Sequence, residues 1–209
     1  MTTETPKQHW DEIYRTKRAT SSGTPSAVLV RVAEGLTPGR SLDLGSSNGD
    51  DVIWLAQRGW RALGLDISPV ACDRASARAE TLGLGELARF QSRDLGLGLP
   101  DGEFDLITAL YFQSHVDLPR AAILRAAAGQ VAPDGHLLVV SHAAPPPWAT
   151  PEMLANAAPF PTVASELADV GAEDGAWHKV QAEVVTRPGK GPDNASADLQ
   201  DNVILLRKA

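Results

Sequence analysis

From residue 41 to residue 141 the chain alternates short apolar runs with amphipathic stretches, and each join carries a capping or turn residue. Apolar runs of about five residues, bounded by Gly, Asp and Ser, predict buried strands at Ser41–Leu44, Arg61–Asp66, Arg89–Arg93, Asp105–Leu110 and His136–Ser141. The longer stretches between them carry apolar positions at helical spacing. They predict a helix over 48–58 stopped by Gly59, one begun by Ser68-Pro69 and stopped by Gly83, and one over 117–130. Upstream, residues 6–17 read as a polar helix, Thr20-Ser21-Ser22-Gly23 as a flexible link, and Thr24-Pro25 as an N-cap and N1 proline for a helix to about Gly35. Past residue 142 the rhythm breaks. A proline-rich loop (143–151), a weak helix and a clearer one near 162–170 precede two strand-like runs, His178–Thr186 and Asn202–Leu206, with no helix between them.

Strand–helix alternation implies parallel pairing with helices on both faces, and the closing pair implies an antiparallel hairpin. The expected fold is therefore α/β, a Rossmann-like, seven-stranded, mostly parallel sheet with helices on both faces and a C-terminal antiparallel hairpin. The chain has 209 residues and is 43% hydrophobic, enough for one such domain and short for two. A net charge of −7 argues against nucleic acid or an anionic membrane as partner, and the sole cysteine, Cys72, precludes an internal disulfide. With a polar N-terminus and no long apolar run, a cytoplasmic location is the expectation, as a monomer or homodimer.

Chemistry concentrates in Asp43-Leu44-Gly45-Ser46-Ser47-Asn48-Gly49-Asp50-Asp51, a turn joining the first strand to a helix. A dinucleotide site needs G-x-G-x-x-G with a pyrophosphate on the helix N-terminus. Ser47 and Asp50 stand where the second and third glycines belong, and Asp50 and Asp51 would repel a diphosphate. Such a turn suits a cationic, phosphate-free nucleoside, and S-adenosylmethionine has that character. Asp66 ends the second strand 23 residues beyond Asp43, close to the offset at which an acid meets ribose hydroxyls; the plainer alternative is an acid that caps the following helix. No Cys, His or carboxylate set has metal-ligand spacing, and no Gly-Lys-Ser/Thr ending makes the turn a P-loop.

Asp43, Gly45 and Gly49 make this segment resemble motif I of class I S-adenosylmethionine-dependent methyltransferases, with Ser47 departing from the middle glycine. Trp10, Asp11 and Tyr14 resemble the W-D-x-x-Y opening of the small bacterial tellurite-resistance and thiopurine-methyltransferase-like group. The resemblance implies a 1–23 lid helix and linker ahead of a 24–209 methyltransferase domain. It implies Asp43, Gly45 and Gly49 near the methionine portion, Asp66 on the ribose, Ile67 under the adenine, and Asp94 with the Leu95 N–H on the adenine edge. Ala109 would border the reactive sulfur, and Trp10 and Tyr14 would fold over the cofactor; the plainer alternative makes Trp10 a staple for a loose terminus.

Methyl transfer needs alignment and exclusion of water, and a base only when the nucleophile holds a proton it cannot shed. His142, His115 and Tyr111 are the candidates, with His142 favoured because it ends the fifth strand. The acceptor expected is a small molecule with an O, N, S or metalloid nucleophile. Two rivals stay open at this point: a non-catalytic S-adenosylmethionine-binding sensor or partner subunit, and an NAD-linked oxidoreductase, which Ser47, Asp50 and the terminal hairpin disfavour.

Overall fold

A computed structural model describes residues 4–155, 159–172 and 175–209. Two helices, α1 (Pro6–Thr16) and α2 (Ala27–Ala33), precede β1 (Arg40–Leu44), α3 (Asp50–Ala56), β2 (Arg61–Asp66), α4 (Pro69–Thr81), β3 (Ala88–Ser92) and β4 (Phe104–Leu110). There follow α5 (Arg120–Gly129), β5 (Val131–His142), α6 (Pro151–Leu154), α7 (Val163–Val170), β6 (Trp177–Lys190) and β7 (Ser196–Lys208). The strands form one seven-stranded sheet in the order β3-β2-β1-β4-β5-β7-β6. Pairing is parallel from β3 through β5, while β7 is antiparallel to both β5 and β6. The expected fold class is what the chain adopts.

Burial explains the order. Leu42, Leu44, Leu65, Ile107, Leu137, Val139 and Ile204 are shut off from solvent on one face against α5 and α7. Leu106, Leu138, Val140 and Val203 do the same on the other face with Val52, Leu55 and Trp60. Strands apolar on both faces belong in the middle of a covered parallel sheet. The chain order reverses at β1, between β2 and β4, so the crevice beyond their carboxyl ends is the topological switch point.

Boundaries differ from expectation where tertiary partners decide them. Thr5, not predicted as a cap, closes a capping box with Gln8 ahead of Pro6. At α2 the helix opens at Ala27 rather than at Thr24-Pro25, and the Ser26 N–H goes to the Asp51 carboxylate at 2.6 Å. α5 starts at Arg120 rather than Asp117, because Pro119 holds the N-cap position. β5 begins at Val131 instead of His136, reaching Phe104 through an irregularity at Asp134 (φ +61) and Gly135. The hairpin strands β6 and β7 also run further than their apolar patterns, since their outer residues are held by each other and not by core burial.

Candidate functional site

The β1–α3 turn is built by backbone conformation. Gly45, Ser47 and Gly49 all sit at positive φ (75°, 52° and 80°), conformations glycine adopts freely and serine only with some strain. A Cβ on Gly45 would strike the Phe112 ring at 2.8 Å, and one on Gly49 would strike Phe90 and Ala75. Close packing by the protein's own aromatic rings, rather than a ligand alone, therefore requires glycine at both positions.

A hollow of about 370 Å³ opens beside this turn. Asp43, Gly45 to Asp51 and Leu110 line its floor, and Arg18, Thr20, Ser21, Ser22 and Thr24 line its roof. The roof is fastened through acids that the sequence suggested for repelling phosphate. Asp50 accepts hydrogen bonds from the Ser21 and Ser22 hydroxyls and pairs with Arg78 at 2.8 Å. Asn48 donates to the Arg18 carbonyl at 3.1 Å and also reaches the Thr20 carbonyl. From α4, Arg74 donates to the carbonyls of Tyr14 and Arg18 and to the Asn48 side chain.

Three carboxylates crowd the strand ends. Asp43 is 5% exposed and accepts from Thr108 Oγ1 at 2.6 Å. Burial, then the charges of Asp51 and Asp66, raise its pKa well above the ordinary carboxyl value in spite of that bond. Asp51 is pushed up to about 6 by burial and by Asp50, against the bond from Ser26. Burial also raises Asp66, opposed by bonds from the backbone N–H of Ser68 and Ser47 and from the Tyr14 hydroxyl. Carboxyls this uncomfortable gain most from a nearby cation. The Ser46 hydroxyl, buried in the same turn, has no hydrogen-bond partner among the described residues.

The W-D-x-x-Y residues share one face of α1, as i, i+1, i+4 positions on a helix do. Trp10 Nε1 donates to Ser114 Oγ at 3.3 Å, Asp11 accepts from the Ser68 hydroxyl, and Tyr14 donates to Asp66 Oδ2 at 3.0 Å. Asp66 Oδ2 also accepts from the Ser47 N–H at 3.0 Å, and Oδ1 from the Ser68 N–H at 3.0 Å. Asp66 thus already holds three donors, and buried Tyr14 lies over it. The structure brings Asp43, Gly45, Gly49, Asp66, Trp10 and Tyr14 to one end of the sheet. Asp94 follows β3 at the same end of the sheet, where the Arg93 N–H bonds the Asp66 carbonyl at 2.8 Å; it is exposed, does not line the hollow, and its side chain caps the following turn by accepting from the Gly96 N–H at 2.9 Å. Ile67 is half-buried, while Leu95 and Ala109 are buried in the core; none of these three lines the hollow.

At the carboxyl ends of β4 and β5 a second polar group forms. Tyr111, at φ +53, stacks on His142 with ring centroids 4.7 Å apart. His142 Nδ1 lies 3.0 Å from Asp201 Oδ1, while Asp201 Oδ2 accepts from Tyr111 Oη at 2.8 Å and Arg187 Nε at 2.5 Å. Asp201 is fully buried. Burial would raise its pKa, but the bonds from His142, Arg187 and Tyr111 outweigh this and hold it lowered. Burial and the Asp201 bond push Tyr111 up to about 12. His115 is exposed and has no hydrogen-bond partner among the described residues. Sequence reasoning missed Asp201 and Arg187, because each sits in a strand remote from the motifs and only the hairpin register carries them to His142. Among the described residues, no group of acids, histidines and cysteines could hold a metal ion, and no helix is long and apolar enough to cross a membrane.

A family model described as a methyltransferase domain matches residues 15–168. The uncharacterized methyltransferase YcgJ of Bacillus subtilis (strain 168) is 30% identical over 145 residues, or 69% of this chain and 57% of that protein. The chain thus spans little more than half of that relative's length. TehB from Haemophilus influenzae superposes with a TM-score of 0.70 at 16% identity, over 95% of this chain and 67% of that one. Magnesium protoporphyrin IX methyltransferase (ChlM) from Synechocystis PCC 6803, solved with bound SAH, gives 0.67 at 17% identity over 97% and 99%. At such identities the likeness carries the fold.

Proposed function

The chain belongs to the methyltransferase-domain family, and on that footing we propose that it is an S-adenosylmethionine-dependent methyltransferase acting on a small molecule. The observation that carries this reading is the pair of carboxyls, buried Asp43 and half-buried Asp51, lining a hollow at the topological switch point, with buried Asp66 bonded to the Ser47 N–H of the same turn. When bound, S-adenosylmethionine supplies an electrophilic methyl carbon, and sulfur keeps the electron pair of the bond that breaks.

The residues present fit that group at its amino-acid end. Asp43 and Asp51 offer negative charge to its cationic centres, and Arg18, in the roof of the same hollow, offers a counter-ion for a carboxylate. Asp66 would take ribose hydroxyls. A carboxylate accepts about four hydrogen bonds, so its three present donors leave room for one more unless Tyr14 yields its place. The roof from Arg18 to Thr24 covers part of the floor of the turn.

A small-molecule acceptor is supported by the acidic net charge of −7, which disfavours nucleic acid. Titration calorimetry with S-adenosylhomocysteine tests the cofactor assignment. Binding to the wild type, weakened at least tenfold (about 1.4 kcal/mol) in Asp66→Ala, is expected. Tight NAD binding with no heat from the adenosyl ligand would overturn the reading.

A further inference from the structure

The Asp201 cluster lies one residue beyond Leu110, which lines the cofactor hollow, and at the same end of the sheet. We propose that His142 is the general base that takes the proton from the acceptor, a small molecule with a weakly acidic O–H or S–H nucleophile, and that Asp201 holds its imidazole in the productive tautomer. The proposal rests on the methyl-transfer reading above and adds the class of acceptor to it.

Geometry carries the assignment. Asp201 is fully buried, and Oδ2 is clamped by Tyr111 Oη at 2.8 Å and Arg187 Nε at 2.5 Å, so Oδ1 is fixed toward His142 Nδ1 at 3.0 Å. An ionised carboxylate only accepts, so Nδ1 carries the proton and Nε2 keeps its lone pair. The His142 side chain is 45% exposed, and Nε2 has no partner among the described residues. The His142 backbone N–H is tied separately to Gln113 Oε1 at 2.8 Å. This is the division of roles by which a buried Asp orients a catalytic histidine in unrelated hydrolases.

Two further observations set the cluster apart from a structural pin. The β5–β7 pairs in mid-strand, Val139 with Ile204 and Val140 with Val203, are apolar, and polar pairs stand at both ends, His136 with Arg207 away from the crevice and His142 with Asp201 toward it; of these four polar residues only Asp201 is buried. Replacing a buried ionic cluster with apolar residues is often neutral for stability, so packing alone does not call for Asp201 here. In addition, Tyr111 is a bulky residue at φ +53, a strained conformation of the kind that gathers at functional sites. Tyr111 is itself kept protonated by burial and by Asp201, so it donates and leaves the base role to the imidazole.

The proton step balances simply. The acceptor's O–H or S–H bond gives its proton to Nε2, its electron pair stays on the nucleophile, and the imidazolium charge is met by Asp201. The charged and titratable groups facing the ring are Asp201 from β7, Arg187 from β6 and Tyr111 beyond β4. A nucleophile such as a tellurite-type oxyanion, already unprotonated, would need no such device.

The test combines two readouts on the full chain. Long-range ¹H–¹⁵N NMR of imidazole-labelled protein without ligand, with the signal assigned by its loss in His142→Gln, should show neutral His142 protonated at Nδ1. In Asp201→Asn it should shift toward the Nε2–H form. An Nε2–H tautomer in the wild type, or one unchanged by Asp201→Asn, overturns the dyad. Labelled methyl transfer from S-adenosylmethionine to a phenol and an alkanethiol, with tellurite as control, should favour the protic acceptors. The rate should fall at least a hundredfold in His142→Gln, with S-adenosylhomocysteine affinity kept. In Asp201→Asn kcat should fall with KM little changed. Transfer to neither protic acceptor by a protein that binds S-adenosylhomocysteine overturns the acceptor class. Failure to bind that ligand would instead remove the methyltransferase reading, while the tautomer result would still decide whether the dyad exists.

Discussion

Asp51 shows how one side chain can trade stability against ligand affinity. Its folded pKa of about 6 lies above the ordinary 3.8, so its contribution to stability is fully present below about pH 4 and is lost as pH rises through 6. A cationic ligand favours the ionised form, so affinity runs the other way. Calorimetry with S-adenosylmethionine should give binding about tenfold weaker at pH 5 than at pH 7.5. Asp51→Asn, which keeps an acceptor for the Ser26 N–H, should raise the Tm of the free protein at pH 7.5 and not at pH 4, while flattening the affinity profile. A flat profile in the wild type would remove Asp51 from the binding site. At this scale the sequence was informative about the turn, since Asp43, Gly45 and Gly49 stand beside one hollow. It singled out Asp66 by its offset from Asp43 but not its three bonds, which come from residues 14, 47 and 68 and need the folded chain to meet. The positive φ of Ser47 likewise shows that the departure from a middle glycine is tolerated by the backbone.

Among elements, α1 owes its place to partners rather than to its own pattern. Its ends are legible, with a proline at its start and basic residues at its close, but its docking is made by Arg74 on α4 together with Ser68, Asp66 and Ser114, while Arg78 holds the β1–α3 turn. Arg74 and Arg78 lie four residues apart, on one face of that helix. Arg74 alone holds the carbonyls of Tyr14 and Arg18. A hydrogen bond from a charged group contributes about 2 kcal/mol, so Arg74→Ala should speed hydrogen exchange in residues 6–16 roughly thirtyfold. Exchange unchanged from the wild type would show that Trp10 and Tyr14 suffice to dock the helix. The terminal hairpin was legible as a pair of strands, whereas its register was not. Strand pairing moves by whole residues, and nothing local tells that Asp201 rather than Leu199 will face His142.

For the whole molecule, the two faces of the sheet are joined to the helices unequally. On the α5–α7 face a buried ion pair sits in the core: Glu166, wholly buried, accepts from Arg120 at 2.8 and 2.9 Å and from Ser141 Oγ at 2.6 Å. Asn202 on β7 extends this network to Ser141 and to the Pro161 carbonyl. Removing one partner strands a charge, so Glu166→Ala should cost about 3 kcal/mol in urea unfolding, and a loss under 1 kcal/mol would show Arg120 freely resolvated. Composition and alternation could place this chain among covered parallel sheets, because burial on both faces leaves a mark in every central strand. They could not place Glu166, whose burial depends on where α7 lands.

The sheet order also separates two tasks along the chain. The groups proposed to meet the nucleoside lie between residues 10 and 110, and those around His142 come from residue 111 onward, with Arg187 and Asp201 delivered by the last two strands. Substituting the 143–162 segment or the tip of the hairpin should therefore redirect which nucleophile is accepted without retuning the grip on the methyl donor, so the molecule offers a fixed chuck with an exchangeable tool.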